Sequence, residues 1–377
     1  MKKLALLCAG VVVTGSFVPV ATPAEAAGLD YTCNNQAGAS AVNTLTAPAT
    51  MTVGDSAPVT LDSALTVPST LLGTLLGSLG SLTGSGTGGA AGTITGPGGF
   101  AEGIIPSGAA FSGLSTSAPV LPLTGTTTFT PPSPGPYPVA AGHDTASLDT
   151  LLGVVTGALS LDCASAAASD PVLGTIRVLS PSTTTVAVSP TTVAYGQISR
   201  ATAKVATSLP SLPAGLGAAS GTVQFSAGGK TVSGTLTSGQ TTVALPRLGA
   251  GQTYPLTAAY HPDSSAWYEE SQDNASLMVV KDGTSTAVTA PNIKRRHVEV
   301  ATVQVRSVHG AMVRGTVRAI LKKGTKTLRA KTVALRKGNA QVRFGKLRKR
   351  GKYTVLATYR ASHNFKRSVD KDPLKVR

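Results

Sequence analysis

Hydrophobic and polar residues alternate most regularly near the end of the chain. Tyr353, Val355, Ala357 and Tyr359 fall on one face of an extended segment, and the residues between them fall on the other. This period of two predicts a β-strand with one face in a core. Since such a strand needs partners to bury that face, the pattern favours a sheet rather than an isolated hairpin.

Alternation recurs in the first half of the chain, over Thr44–Val53 and Val120–Thr130. Between these stretches the leucines of Leu71–Gly80 follow a helix-like spacing, and glycine-rich sequence continues to Gly99. Each glycine costs roughly 1 kcal/mol in a helix. We therefore expect a short helix or a mobile loop here, covering the edge of a sheet.

The second half of the chain contains an internal repeat of about 95 to 100 residues. Three segments of the first copy match three of the second: Thr183–Val188 and Thr284–Thr289, Gly221–Val223 and Gly315–Val317, Leu248–Tyr260 and Leu347–Tyr359. Trp267 falls close to where Phe365 falls in the second copy, and either aromatic is spaced to cover the end of a core. The length of the repeat unit and the spacing of its alternating segments are those of an immunoglobulin-like sandwich.

These patterns predict an all-β protein, with a β-rich N-terminal domain followed by two tandem immunoglobulin-like β-sandwiches. The composition agrees, because 42 Gly and 24 Pro with few aromatic residues suit short strands joined by turns. The predicted boundaries are a signal peptide over residues 1–26, an acidic head over 27–180, one sandwich over 181–281 and a basic sandwich over 282–377.

The first 26 residues have the three parts of a secretory signal peptide. Lys2 and Lys3 form the positive end, Leu4–Val13 is the apolar run, and Ala24-Glu25-Ala26 is the small-x-small cleavage site. A membrane anchor is the alternative, but the run is short for a bilayer. We therefore expect a protein that is secreted or associated with the cell surface, with no transmembrane segment in the mature chain.

Cleavage after residue 26 leaves two cysteines, Cys33 and Cys163. In an exported chain the pair favours one disulfide bond, and two buried free thiols are the alternative.

Residues 182–281 and 284–377 resemble the bacterial immunoglobulin-like repeat of long cell-surface and secreted proteins. The shared features are a Thr-rich first strand, the Tyr195-Gly196-Gln197 step, a Gly-Thr-Val strand and the Tyr-x-x-x-Ala-x-Tyr strand. The second copy departs from the pattern, because Lys294-Arg295-Arg296-His297 replaces the Tyr-Gly-Gln step.

The head is similar to an uncharacterised domain of secreted bacterial proteins, bracketed by Leu29–Cys33 and by Leu161–Cys163. That resemblance implies an all-β domain with one bracketing disulfide bond. It implies no activity.

Charge divides the chain at the same places as the repeat. From Gly28 to Ile176 there are eight acidic residues and no Lys or Arg, whereas Asp282–Arg377 holds 25 basic and four acidic residues. A net charge of +21 in 96 residues exceeds what solubility requires and costs stability through self-repulsion. It therefore predicts an anionic partner, with a solubilising surface as the alternative.

The predicted polyanion-binding residues lie in the turns and strand ends of the second copy. They are Lys294, Arg295, Arg296, Lys322, Lys323, Arg336, Lys337, Lys346, Arg348, Lys349, Arg350 and Lys352. The expected partner is an anionic cell-wall or extracellular polymer, held electrostatically with low specificity. Sequence-specific nucleic-acid binding is not expected, because the aromatic residues nearby have core-like spacing.

No motif in the sequence predicts an active site, a cofactor or a metal. The five histidines lack metal-ligand spacing, and His143-Asp144 is interpreted as a solvated turn pair. Gly84–Gly89 fits a dinucleotide fingerprint without the strand, helix and acid that it needs. Leu121–Gly125 fits a cell-wall attachment signal without its C-terminal context.

We therefore expect a non-enzymatic surface or matrix protein whose basic module docks to an anionic polymer. Two alternatives stay open from the sequence. One is a soluble extracellular protein whose head captures a ligand, and the other is a hydrolase concealed in the head.

Overall fold

The computed structural model describes residues 24–76, 84–115, 119–149, 159–210 and 216–377, and most of these residues are in β-strands. The predicted all-β fold is confirmed. The predicted signal peptide lies outside the described residues except for Ala24–Ala26, which begin the first strand. Among the described helices, none is long and apolar enough to cross a membrane.

Two compact units make up the chain. The first comprises the described residues of Met1–Pro181 and Ser208–Gly217, with Trp267–Glu269. The second comprises Ser182–Thr207, Ala218–Ala266 and Glu270–Arg377.

We call the strands before Ser180 the head. Its elements are β1 (Ala24–Cys33), β2 (Gln36–Thr46), β3 (Thr50–Thr52), β4 (Ala57–Thr66), α1 (Ser69–Leu76), β5 (Gly84–Gly96), a 3-10 turn (Pro97–Gly99), β6 (Phe100–Pro106), β7 (Ala109–Leu114), β8 (Val120–Phe129), β9 (Gly135–Asp149), β10 (Leu159–Ser165) and β11 (Val172–Leu179).

The sheet of the head closes on itself. The hydrogen-bonded order runs β9-β10-β1-β2-β4-β8-β6-β5, and β5 pairs again with β9. Strands β11 and β3 continue from β9, and β7 continues from β5. Because the strands alternate, every second residue points inward, and these residues form one continuous hydrophobic core.

The glycine-rich segment differs from its prediction as a helix or loop. Helix α1 is present and ends at Leu76, but Gly84–Gly96 is the long strand β5. Glycine is required there by close approach, since a Cβ on Gly86 would lie 1.9 Å from the carbonyl oxygen of Ser147. Leu121–Gly125 likewise lies within strand β8, with Leu121 and Leu123 buried.

We call β12 to β19 the middle sandwich and β20 to β26 the basic sandwich. The middle sandwich consists of β12 (Ser182–Ser189), β13 (Thr192–Ala194), β14 (Arg200–Thr207), β15 (Gly221–Ala227), β16 (Lys230–Thr235), β17 (Gln240–Ala244), β18 (Gln252–Pro262) and β19 (Ser271–Val280). The basic sandwich consists of β20 (Thr284–Thr289), β21 (Val298–Ser307), β22 (Thr316–Lys323), β23 (Lys326–Ala334), β24 (Asn339–Lys346), β25 (Gly351–Tyr359) and β26 (Ser368–Val376).

Both sandwiches have the same strand order, except that the middle sandwich has an additional edge strand, β13, which pairs with β19. Sheets β12-β14-β17 and β13-β19-β18-β15-β16 form the first, and sheets β20-β21-β24 and β23-β22-β25-β26 form the second. Val223 lies opposite Tyr260 in one, and Val317 lies opposite Tyr359 in the other. The repeat seen in the sequence is therefore a repeat of strand register as well.

One predicted correspondence shifts by a residue. Ser180 forms a β-bridge with Tyr268, and Asp282 forms the equivalent bridge with Phe365. Tyr268 and Phe365 are both buried, whereas Trp267 is half-buried, with the guanidinium of Arg177 5.0 Å above its ring. Tyr268, rather than Trp267, is therefore the counterpart of Phe365.

The histidine-aspartate pair of the head is not a solvated turn. His143 and Asp144 are neighbours on β9 and so face opposite sides of the sheet. His143 is exposed and lies 3.2 Å from Asp162, whereas Asp144 is buried and accepts a 2.6 Å hydrogen bond from the Ser63 hydroxyl. Burial raises the pKa of Asp144 to about 6.

Cys33 and Cys163 lie directly opposite each other on β1 and β10 and form a disulfide bond. They are 130 residues apart in sequence, so the bond closes a long loop of the unfolded chain. Replacing both cysteines with Ala should lower the free energy of unfolding by about 5 kcal/mol in the chain-entropy model. Denaturant unfolding followed by the fluorescence of Trp267 measures this, because this single tryptophan belongs to the first compact unit.

Addition of a reductant is the matched control, since it should destabilise the parent and leave the double variant unchanged. An oxidised parent whose intact mass shows two free thiols would contradict the prediction.

The buried carboxyl of Asp144 should make the stability of the head depend on pH. Its pKa is raised in the folded protein, so its favourable contribution is complete below about pH 4 and is lost as the pH rises through 6. Asp144→Asn should therefore raise the free energy of unfolding at pH 7 by up to about 3 kcal/mol. Denaturant unfolding repeated from pH 4 to pH 8 measures this, and a parent and variant that lose stability equally over that range would contradict the prediction.

Candidate polyanion interface

The structure brings ten of the twelve predicted cationic residues to one end of the basic sandwich. Three segments meet there: the loop of residues 294–297 before β21, the hairpin tip between β22 and β23, and the turn from β24 into β25. Val298 lies opposite Lys346, and Lys322 lies opposite Thr354, which places the three segments side by side. We call this surface the basic end.

Arg336 and Lys337 are the two exceptions. They form the turn from β23 to β24, at the far end of the hairpin. Thr316 pairs with Ala334 there, seven residues along β22 from Lys323. At about 3.3 Å per residue this places the two residues roughly 23 Å from the basic end.

A groove of about 700 Å³ opens at the basic end between the edge strands β23 and β24. The charged residues that line it are all cationic: Lys323, Lys326, Arg329, Lys346, Arg348 and Lys349. Leu328, Leu347 and Tyr353 supply the apolar part of the lining. We call this groove one.

Side-chain contacts fix the shape of groove one. The Arg329 guanidinium crosses from β23 and donates a hydrogen bond to the Phe344 carbonyl oxygen on β24. The ammonium of Lys323 lies 5.4 Å from the centre of the Tyr353 ring and donates to the Arg350 carbonyl oxygen. Arg329 therefore bridges the two edge strands across groove one.

A second groove of about 430 Å³ adjoins the first, and we call it groove two. Arg295, Arg296, Lys346 and Arg348 line it. Lys346 and Arg348 thus belong to both grooves. The basic end is one continuous cationic surface rather than two separate sites.

The sequence prediction missed two lining residues of groove one, Lys326 and Arg329. The prediction placed the binding residues mainly in turns, whereas β23 is an exposed edge strand. The sequence of β23 lacks an apolar alternation, and this lack indicated that the strand is exposed.

The basic sandwich has four carboxylates, and none of them lines groove one or groove two. Asp370 and Asp372 accept hydrogen bonds from the backbone of β20 and the residue after it. Asp282 is buried and lies 2.7 Å from the imidazole of His309. Within residues 282–377, no Lys or Arg forms an ion pair with a carboxylate.

Glu299 is the fourth. It is fully buried, and neither of its carboxyl oxygens has a hydrogen-bond partner. Burial, reinforced by the nearby charge of Asp372, raises its pKa to about 7. At neutral pH this carboxyl is partly protonated, so it offsets less positive charge than an ionised carboxylate would.

Hydrogen bonds show which residues of the middle sandwich occupy the equivalent end. The amide of Tyr195 donates to the carbonyl of Val280, and the amide of Arg295 donates to that of Arg377. The amide of Gln197 donates to Ala194, and that of His297 donates to Lys294. Tyr195 and Gly196 are therefore the counterparts of Arg295 and Arg296.

In the middle sandwich this end contacts the next module, within the second compact unit. The Tyr195 ring packs edge-on against Phe365, with ring centres 5.3 Å apart. A Cβ on Gly196 would lie 2.9 Å from the Cβ of Ala311, and the Ala250 amide donates to the Asn364 side chain. Arg295, Arg296 and Lys349 replace these aromatic and small residues in the basic sandwich.

No family model matches this chain, and no curated protein sequence matches it. One similar solved structure is a tetra-tandem repeat in the extending region of a large adhesion protein, 12% identical over 94% of this chain and 92% of that chain, with a TM-score of 0.36.

Two other similar structures are native E. coli alpha-2-macroglobulin and the human OSCAR ligand-binding domain. The first is 9% identical over 90% of this chain and 32% of that chain, with a TM-score of 0.22. The second is 14% identical over 52% of this chain and 100% of that chain, with a TM-score of 0.20. At these TM-scores none of the likenesses supports an inference about function.

Arg296 has a backbone conformation that favours glycine. Its φ is +69°, and its counterpart Gly196 has a φ of +101°. A left-handed conformation costs a residue with a side chain about 1 kcal/mol or more. Arg296→Gly should therefore raise the free energy of unfolding by about 1 kcal/mol, measured by thermal denaturation.

Arg295 supplies the matched control because it precedes Arg296 and lacks a positive φ. Arg295→Gly removes the same charge but adds only flexibility, so it should lower the free energy of unfolding by roughly 0.5–1 kcal/mol. Equal shifts in the two variants would mean that charge repulsion, not backbone conformation, sets the effect.

Proposed function

We propose that this chain is a non-enzymatic protein of the cell surface or extracellular matrix, and that its basic end holds an anionic polymer. The observation that carries the proposal is groove one, an open space of about 700 Å³ whose charged lining is entirely cationic. Lys and Arg side chains that neutralise a polyanion release its condensed counterions, and this release drives binding.

The unpaired state of the cations supports the proposal. Folding needs none of them as partners for carboxylates, since residues 282–377 contain no such ion pair. Like charges concentrated at one end destabilise the folded state through repulsion. An anionic partner removes that repulsion, so binding and stability should rise together.

Comparison of the two sandwiches supports it as well. The end that contacts a neighbouring module in the middle sandwich carries arginine and lysine in the basic sandwich. The same backbone arrangement thus carries different side chains, and these suit a different partner. The predicted signal peptide and the disulfide bond are consistent with an extracellular place of action.

The proposal is tested by removing two positive charges from the basic end and two from the opposite end. Lys346→Gln with Arg348→Gln should weaken binding to heparin about tenfold. A plot of log affinity against log salt should become shallower by about 1.4, at 0.7 for each lost contact with a single chain.

Arg336→Gln with Lys337→Gln is the matched control, because it changes net charge equally about 23 Å away. It should leave affinity within about twofold of the parent. Equal losses in the two double variants would assign the binding to net charge and overturn the proposed site.

A further inference from the structure

We infer that grooves one and two take a single flexible chain carrying phosphate or sulfate esters, which passes from one groove to the other over Lys346 and Arg348. The inference rests on the proposed function and names the class of polymer that the basic end accepts.

Continuity of the lining is the first argument. Lys326 and Lys349 are among the residues that line groove one, and Arg295 and Arg296 line groove two. Lys346 and Arg348 line both grooves. No carboxylate lies among the lining residues of either groove. A linear polyanion leaving one groove therefore meets the next without crossing a repulsive group.

Size is the second argument. Groove one has a volume of about 700 Å³ and groove two a volume of about 430 Å³. We expect one polymer chain to enter such spaces, and a nucleic-acid duplex, whose major groove alone is about 12 Å wide, to be too bulky for them. A duplex can touch only the outer cations.

The chemistry of the lining is the third argument. Three of the four residues of groove two are arginines, whose planar fork donates two parallel hydrogen bonds to one tetrahedral oxyanion. Tyr353 is the aromatic residue of groove one, but it is buried, its hydroxyl donates to the Lys349 carbonyl, and Lys323 lies over its ring. No aromatic face in either lining is free for a base to stack on, so charge density should decide affinity.

The direct test measures affinity against chain length with inorganic polyphosphate. Affinity should rise in a step of about tenfold or more when the chain becomes long enough to reach both grooves, because the second contact is then intramolecular. Arg295→Gln with Arg296→Gln should abolish this step and leave the affinity for the shortest chains within about twofold. Lys326→Gln with Lys349→Gln should also abolish the step, because these changes weaken the contact in groove one.

Arg336→Gln with Lys337→Gln keeps the step, as the control of equal charge. Dextran sulfate and single-stranded oligo-dT distinguish sulfate from phosphate sources, and both should bind within a few-fold of polyphosphate of equal charge. Duplex DNA should bind at least tenfold more weakly at equal phosphate concentration.

The outcomes separate the two proposals. Absence of salt-dependent binding to every polyanion would overturn the proposed function itself. Binding of all of them with no length step, with the step retained in the Arg295/Arg296 double variant, or with duplex as tight as single strand, would overturn only the single-chain inference.

Discussion

The fold of each sandwich depends on one buried tyrosine at the end of a central strand, Tyr359 on β25 and Tyr260 on β18. In the basic sandwich the ring of Tyr359 is fully buried, and its hydroxyl donates to the Arg314 carbonyl oxygen just ahead of β22. Tyr260 does the same in the middle sandwich through the Ser220 carbonyl. With this tyrosine buried and hydrogen-bonded, β22 and β25 hold a fixed register. Residues at the ends can then change without loss of the fold.

The two sandwiches show how differently one platform can be used. At one site an aromatic ring, a glycine and a small loop make a close contact with another module. At the equivalent site long cationic side chains surround open grooves. The backbone hydrogen bonds beneath are the same, so the difference lies in side chains that contribute little to the core. This separation of scaffold from surface explains how a net charge of +21 is compatible with a conserved strand register within one chain.

Much of the architecture was accessible from the sequence because its signals are local. The alternation from Tyr353 to Tyr359 defines a strand, and the repeat around Leu347 defines a module. The glycine-rich strand β5 was not predictable, since its glycines are explained by close approach to β9, which is distant in sequence. The same holds for the division of the twelve cations between two ends, because Arg336 and Lys337 look like other turn residues until β22 and β23 are paired. Lys326 and Arg329 were missed because the lack of apolar alternation in β23 indicates only an exposed strand, and the tertiary fold is needed to bring that strand beside β24.

The interior of the basic sandwich also bears on its surface. Glu299 could have offset the charge of the basic end, yet it is buried among core residues with its pKa raised to about 7. Asp372 raises that pKa further and is itself hydrogen-bonded to the Ala290 amide. Arg296 keeps a cationic side chain in a conformation that its counterpart fills with glycine. The unpartnered carboxyl of Glu299 and the left-handed backbone of Arg296 each lower stability relative to an ordinary sandwich, and both leave more positive charge at one end. A loss of stability that is concentrated near one surface is typical of a binding site, because function there is maintained at the expense of folding stability.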